Sequence, residues 1–226
     1  INEKILCTSH VIENKYLMEQ GIATTGSILR WYRDNIFYSP NSTNISYKEI
    51  DDEIAKSPIG SNKLLLHPFF MGARSTRYNP YAKGTFFGLS LSHSKGDMGR
   101  SIMEGVAFEG RACIDLLANM GMNVSDVVVM GGGSKASLWN SIKADVYNRT
   151  IKVPEITEAS SFGAFILGGY AVGLFDNPEK AARDLNKVVK EFVPVKENSA
   201  LYEKYYEVYN ELYYALEPLF EKLENI

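Results

Sequence analysis

A short apolar run, Val127-Val128-Val129-Met130, leads directly into Gly131-Gly132-Gly133, and a helical pattern opens between Ser134 and Trp139. Glycines between a strand and a helix let a ligand come close to the backbone and permit positive φ. The unpaired N–H groups and the positive dipole end of the following helix suit phosphate. A nucleotide is therefore the first ligand this spacing predicts. A tight strand-to-helix turn without a ligand satisfies the same residues, because short glycine motifs often recur without function.

The literal pattern Gly131-x-Gly133-x-x-Ala136 also fits a dinucleotide fingerprint. Glu155 follows roughly twenty residues on, where a ribose-binding acid would sit. A nicotinamide-dependent oxidoreductase domain is thus a second reading. Against it, that fingerprint usually opens its domain, whereas more than half of this chain precedes the glycines.

The elements that must position this loop follow from periodicity and turn residues. Ile5 to Cys7 and Tyr16 to Met18 read as short strands around a turn at Glu13-Asn14-Lys15. Thr25 or Ser27 caps a helix through about Ile36, with Ile28, Leu29, Trp31 and Tyr32 as its apolar positions. A polar stretch from Ser39 to Ser46 leads to a small helix from Tyr47 to Lys56. Leu64 to Leu66 is a strand, Phe69 to Lys83 a loop, and Gly84 to Leu91 an alternating strand. Met98, Ile102, Val106, Cys113 and Leu117 place one apolar face on a long helix, Asp97 to Met120.

Val127 to Met130, Ile151 to Val153 and Val188 to Val193 are further extended segments. Helices are expected at Ala136 to Tyr147, Ser160 to Val172, Pro178 to Leu185 and Ala200 to Leu223. Gly163, Ala164, Gly168 and Gly169 suggest close packing of the Ser160 to Val172 helix against its neighbours. Strands that begin as hairpins and then alternate with helices predict one α/β domain with a mixed sheet.

With 226 residues, 45% of them hydrophobic, the chain can bury a substantial core. A net charge of -3 without basic clusters argues against nucleic acid. No apolar run approaches the ~20 residues that span a bilayer, so no membrane partner is expected. Cys7 and Cys113 form no C-x-x-C pair, which fits a reducing, cytoplasmic setting. His10, His67 and His93 are too scattered to predict a metal site. His67, at the end of an apolar strand, reads as structural. The opening at Ile1, without methionine and close to a core strand, leads to the expectation of a piece of a longer protein.

Several motifs resemble the FGGY carbohydrate kinases. Gly84-x-Phe86-x-Gly88-Leu89, then seven residues, then Asp97-Met98-x-x-Ser101-Ile102-Met103-Glu104 is similar to the family's second signature. The resemblance continues through Gly105 to Phe108, the Gly131 to Ser134 loop with Trp139, and Ala144-Asp145-Val146. Pro154-Glu155 with Glu158 and Gly163-Ala164 extend it, as do Tyr202, Tyr206 and Tyr209 on the last helix. Upstream, Gly26 to Trp31 resembles the family helix bordering the nucleotide phosphates. The match runs in order over nearly the whole chain.

The resemblance implies an actin-like ATPase (ribonuclease H-like) fold, a mixed sheet flanked by helices. Residues 1–226 would be the C-terminal, nucleotide-binding domain of a two-domain sugar kinase, with the sugar-binding N-terminal domain and its catalytic aspartate absent. It implies ATP and Mg²⁺ as cofactors, ATP/ADP and a sugar as partners, and transfer to a ketopentose such as xylulose. Self-association into a homodimer stays open. So does a non-catalytic actin-like interaction module.

Residue by residue, Gly131, Gly132 and Gly133 match the loop beneath the adenosine and phosphates. Ser137 occupies the position that reaches adenine, and Gly26 matches the glycine near the terminal phosphates. Arg30, one turn after Gly26, could face the same cleft, although the family often has a neutral amide there. Arg74 resembles a Gly-Glu-Arg loop that here lacks the Glu. Asp97, Glu104 and Asp145 are expected to cap helices or pair with Arg100 or Arg111, and Glu155 and Glu158 to begin a helix. The resemblance places no catalytic residue and no metal ligand on this chain.

Overall fold

The computed structural model describes residues 5–38, 45–74 and 76–226. Part of the polar stretch expected before Tyr47 lies outside the described residues. The chain folds around one helix, α3 (Lys95–Asn119), whose start is fixed by a reciprocal cap. The Ser94 hydroxyl accepts from the Asp97 amide, and the Asp97 carboxylate accepts from the Ser94 amide and hydroxyl. Three shorter helices pack on α3: α1 (Gly26–Tyr32), α2 (Tyr47–Ile54) and α4 (Ser137–Tyr147). The core gathers Ile28 and Tyr32 of α1, Ile50 and Ile54 of α2, and Ile102, Met103 and Val106 of α3. Trp139 and Ile142 of α4 join it. The terminal helix α7 (Lys196–Glu224) closes the core with Tyr202, Tyr206 and Tyr209.

The strands form three small ladders. β1 (Leu6–Ser9) and β2 (Tyr16–Glu19) make an exposed antiparallel hairpin, with Asn14 at φ +60° in its turn. β3 (Leu65–His67) pairs antiparallel with β4 (Thr85–Phe87). β5 (Val127–Val128), β6 (Ile151–Pro154) and β7 (Val188–Phe192) form the mixed sheet: β5 runs parallel to β6, and β7 antiparallel to it. Between β6 and β7 lie α5 (Ala159–Ala171) and α6 (Pro178–Leu185).

Several boundaries depart from the sequence reading for physical reasons. The helix expected through Ile36 is α-helical only to Tyr32 and widens into a π-turn over Arg33–Phe37. Thr25 is its N-cap, but its side chain makes no capping bond. The strand expected to reach Leu91 stops at Phe87, because Gly88 turns the chain at φ +90°. The small residues of α5 do not serve close packing throughout. Gly163 and Gly168 face open space and Ala164 is exposed, whereas Gly169 meets the Phe175 ring.

The carboxylates divide as well. Asp97 caps α3, and Glu104 pairs with Arg100 at 2.8 Å. Asp145 caps a helix other than its own: it accepts from the amide of Val195, the N-cap residue of α7, and from the Asn198 side chain, both at 2.8 Å. Glu158 is the N-cap residue of α5, but Glu155 lies before the helix, its amide bonded to the Lys187 carbonyl.

Candidate functional site

The glycine loop leaves the mixed sheet at the end of β5. The Val129 amide still donates to the Lys152 carbonyl at 2.9 Å, and the Gly131 amide to the Thr157 carbonyl at 2.7 Å. Gly131 has φ +74°, where side-chain-bearing residues are strained. A short 3₁₀ turn, Gly132–Lys135, follows before α4. The Ser134 hydroxyl closes the loop on the Gly131 carbonyl at 2.6 Å. Asn140, fully buried on α4, donates to the Ser134 carbonyl at 2.8 Å. The loop is thus tied at both ends to the sheet and the helix.

Inside that frame the glycines are open. A Cβ on Gly131, Gly132 or Gly133 would meet nothing within 4 Å. Internal packing therefore does not require three consecutive glycines, and only Gly131 is required by its φ. The remaining freedom gives a ligand close access to the backbone.

Ser137 opens α4 and is exposed. Its Oγ accepts a 2.8 Å hydrogen bond from Lys190 Nζ. β7 delivers that lysine: Lys190 stands opposite Val153 of β6, and α4 packs on both strands. Further along α4, Lys143 lies 5.0 Å from the Trp139 ring centroid, and burial pushes its ammonium down to about 8.

Gly131, Gly132, Gly133 and Ser137 therefore form one continuous feature. Gly26 and Arg30 belong to α1, which meets α3 instead. Gly26 is exposed, and a Cβ there would also meet nothing within 4 Å. Arg30 is exposed in the last turn of α1. Its charge helps to hold the Asp34 carboxyl below the usual range, after the larger effect of the Arg33 hydrogen bond. Among the described residues, no hydrogen bond or ion pair ties Gly26 or Arg30 to the glycine loop. Arg74 is exposed in its loop.

Two contributors escaped the sequence reading. Asn140 carried a signal, a polar amide beside Trp139 on the buried face of a helix. Lys190 carried none, since it is 53 residues from Ser137 and arrives through the β6–β7 pairing. Among the described residues no group of three or more His, Cys, Asp or Glu is placed to hold a metal ion. No helix among them is long and apolar enough to cross a membrane.

A solved xylulose kinase from Rhodospirillum rubrum superimposes with a TM-score of 0.84 at 26% identity, over 97% of this chain and 44% of that one. The domain is accordingly of the actin-like ATPase class, a mixed sheet flanked by helices. Residues 5–172 match the C-terminal domain of the FGGY family of carbohydrate kinases, and the chain belongs to that family. A xylulose kinase of Staphylococcus epidermidis is 32% identical over 205 residues, covering 91% of this chain and 40% of that protein. A gluconokinase of Bacillus licheniformis is 30% identical over 228 residues, covering 98% of this chain and 44% of that protein. The chain thus spans less than half the length of these relatives. Membership of a kinase family sets aside the nicotinamide reading of the glycine loop, and Glu155 needs no ribose to explain it.

Proposed function

We propose that this chain supplies the nucleotide-binding half of an ATP-dependent carbohydrate kinase. The observation that carries the reading is the open glycine turn: Gly131 is forced by its φ, yet Gly132 and Gly133 are forced by nothing inside the protein. These residues fit a nucleotide, because their backbone is reachable at van der Waals distance. Bound ATP supplies the γ-phosphoryl group that a sugar hydroxyl accepts. Gly131 to Gly133 would pass beneath the adenosine and phosphates, and the Ser137 hydroxyl would meet the adenine. Gly26 and Arg30 would lie towards the terminal phosphates across the cleft.

On this reading the acceptor pocket and the general base that deprotonates the acceptor would lie outside residues 1–226. We take the acceptor to be a sugar or polyol, with a ketopentose such as xylulose favoured by the names of the relatives. Gluconate stays in competition, since a gluconokinase is nearly as similar. The described residues do not by themselves form a Mg²⁺ cage. Mg²⁺ is expected to enter with the nucleotide.

The test is calorimetry with ADP on this chain and its Gly133→Val variant. ADP binding to the parent and its loss in the variant, with an unchanged far-ultraviolet spectrum, is the expected result. Equal affinity in the two proteins would remove the glycine loop from the site.

A further inference from the structure

The Ser137 hydroxyl is already engaged by a second side chain. Lys190 Nζ donates to Ser137 Oγ at 2.8 Å and lies 4.8 Å from the Phe192 ring centroid. Two contacts on different elements therefore fix where the ammonium sits. The neighbouring Ser141 hydroxyl donates to the Ser137 backbone carbonyl at 3.2 Å, so it does not compete for Oγ.

The donor inventory then decides the polarity of Ser137. A serine hydroxyl has one proton to give and two lone pairs to receive with. An ammonium has three donors and no acceptor. Lys190 can occupy only a lone pair of Ser137, and the serine proton must point elsewhere. An ammonium bond also draws electron density from the hydroxyl oxygen, which strengthens the remaining O–H as a donor.

We propose that Lys190 is a positioning residue for nucleobase recognition: it holds Ser137 as a hydrogen-bond donor towards an unprotonated ring nitrogen of adenine. The proposal rests on the nucleotide reading of the glycine loop and adds to it a residue, a direction of hydrogen bonding and a chemical preference. Lys190 does not touch the base. Its effect passes through Ser137.

The experiment is ADP calorimetry on this chain, comparing the parent with Ser137→Ala, Lys190→Met, Lys190→Arg and the Ser137→Ala/Lys190→Met double variant. Thermal melts check that each variant folds. Lys190→Met and Ser137→Ala should each weaken ADP about three- to tenfold, the scale of one hydrogen bond. The double variant should be no weaker than either single one, because both break the same arrangement. Lys190→Arg keeps a donor-only head group and should stay within about twofold of the parent. One of 1-deaza-, 3-deaza- and 7-deaza-ADP should lose the same factor in the parent and nothing further in Ser137→Ala.

Losses that multiply in the double variant, or three deaza analogues that all bind like ADP, would overturn the proposal. So would an unchanged affinity in Lys190→Met while Gly133→Val abolishes binding, a result that spares the glycine-loop reading. A parent that binds no ADP overturns both.

Discussion

A Cβ placed on Gly105 would lie 2.2 Å from the Leu66 carbonyl oxygen, deep between α3 and β3. On Gly133 the same atom would meet nothing within 4 Å. Backbone cannot retreat as a flexible side chain can, so Gly105 is a packing glycine. Gly105→Ala should lower stability by about 2 kcal/mol or more, within or above the usual range for overpacking. Gly133→Ala should stay within about 1 kcal/mol of the parent, since neither φ nor a neighbour penalises it. Urea unfolding of both variants checks this. A Gly105→Ala protein as stable as the parent would mean that α3 can move off β3. In sequence the two glycines look alike. The strand-to-helix context made the Gly131 to Gly133 loop legible, but it could not separate close packing from open space. The same blindness made Gly163 and Gly168 look like packing residues.

At the scale of elements, α3 and α7 are joined by a buried polar network rather than by apolar contact alone. Glu104 accepts from Arg100 Nε at 2.8 Å, the Tyr202 hydroxyl at 2.8 Å, the Gly60 amide at 3.0 Å and the Ser61 hydroxyl at 2.8 Å. Arg100 also donates to the Ser57 carbonyl and the Tyr202 oxygen. Glu104 thereby holds Gly60 and Ser61, and Asp97 accepts from the Asn62 side chain at 2.8 Å, within four consecutive left-handed residues, Gly60 to Lys63, with φ from 50° to 76°. Nothing local in Gly-Ser-Asn-Lys demands that turn, so it was illegible in the sequence. It exists because buried carboxylates 40 or so positions away fix it. The start of α7 precedes the expected Ala200 for a related reason: Asp145 on α4 engages Val195 and Asn198, ahead of the helix's apolar pattern. Lengths and types of the long helices were readable from periodicity, whereas ends set by distant side chains were not. Removing one partner tests the network. Glu104→Ala leaves Arg100 buried without its counter-charge and should cost about 3–5 kcal/mol. Tyr202→Phe removes only a hydroxyl and should cost about 1–3 kcal/mol. Chemical denaturation at neutral pH measures both, and a smaller loss for Glu104→Ala than for Tyr202→Phe would contradict this account.

For the molecule as a whole, His67 ties the first half of the chain to the last helix. Its Nε2 lies 3.0 Å from the Tyr209 carbonyl, which can only accept, so Nε2 carries a proton and donates it to that carbonyl. The imidazole is fully buried, and its ring packs edge-on against Tyr209 at 4.4 Å. Burial is the main cause that moves its pKa from 6.5 down to about 4; the nearby Arg77 guanidinium acts in the same direction, and the Tyr209 carbonyl opposes. Arg77 is itself paired with Glu109 at 3.2 Å, and the Tyr209 hydroxyl donates to that carboxylate at 2.8 Å, so a second positive charge would find no free acid here. The position of His67 between Leu66 and Pro68 already marked it as structural in the sequence; its partner on α7 was not readable there. Because the folded pKa lies below the unfolded one, the unfolded chain takes up the proton first as pH falls. The stability contributed by neutral His67 is therefore complete above about pH 6.5 and is lost as pH drops towards 4. The loss should reach roughly 3 kcal/mol. Burial also raises the pKa of the Glu109 carboxyl, so the comparison must isolate the histidine. His67→Gln keeps an N–H for the Tyr209 carbonyl and carries no titrating group. Urea unfolding of parent and variant at pH 7, 5.5 and 4 should show the parent losing ground relative to His67→Gln as pH falls. Parallel stability curves for the two proteins would mean that His67 is accessible to protons in the folded state.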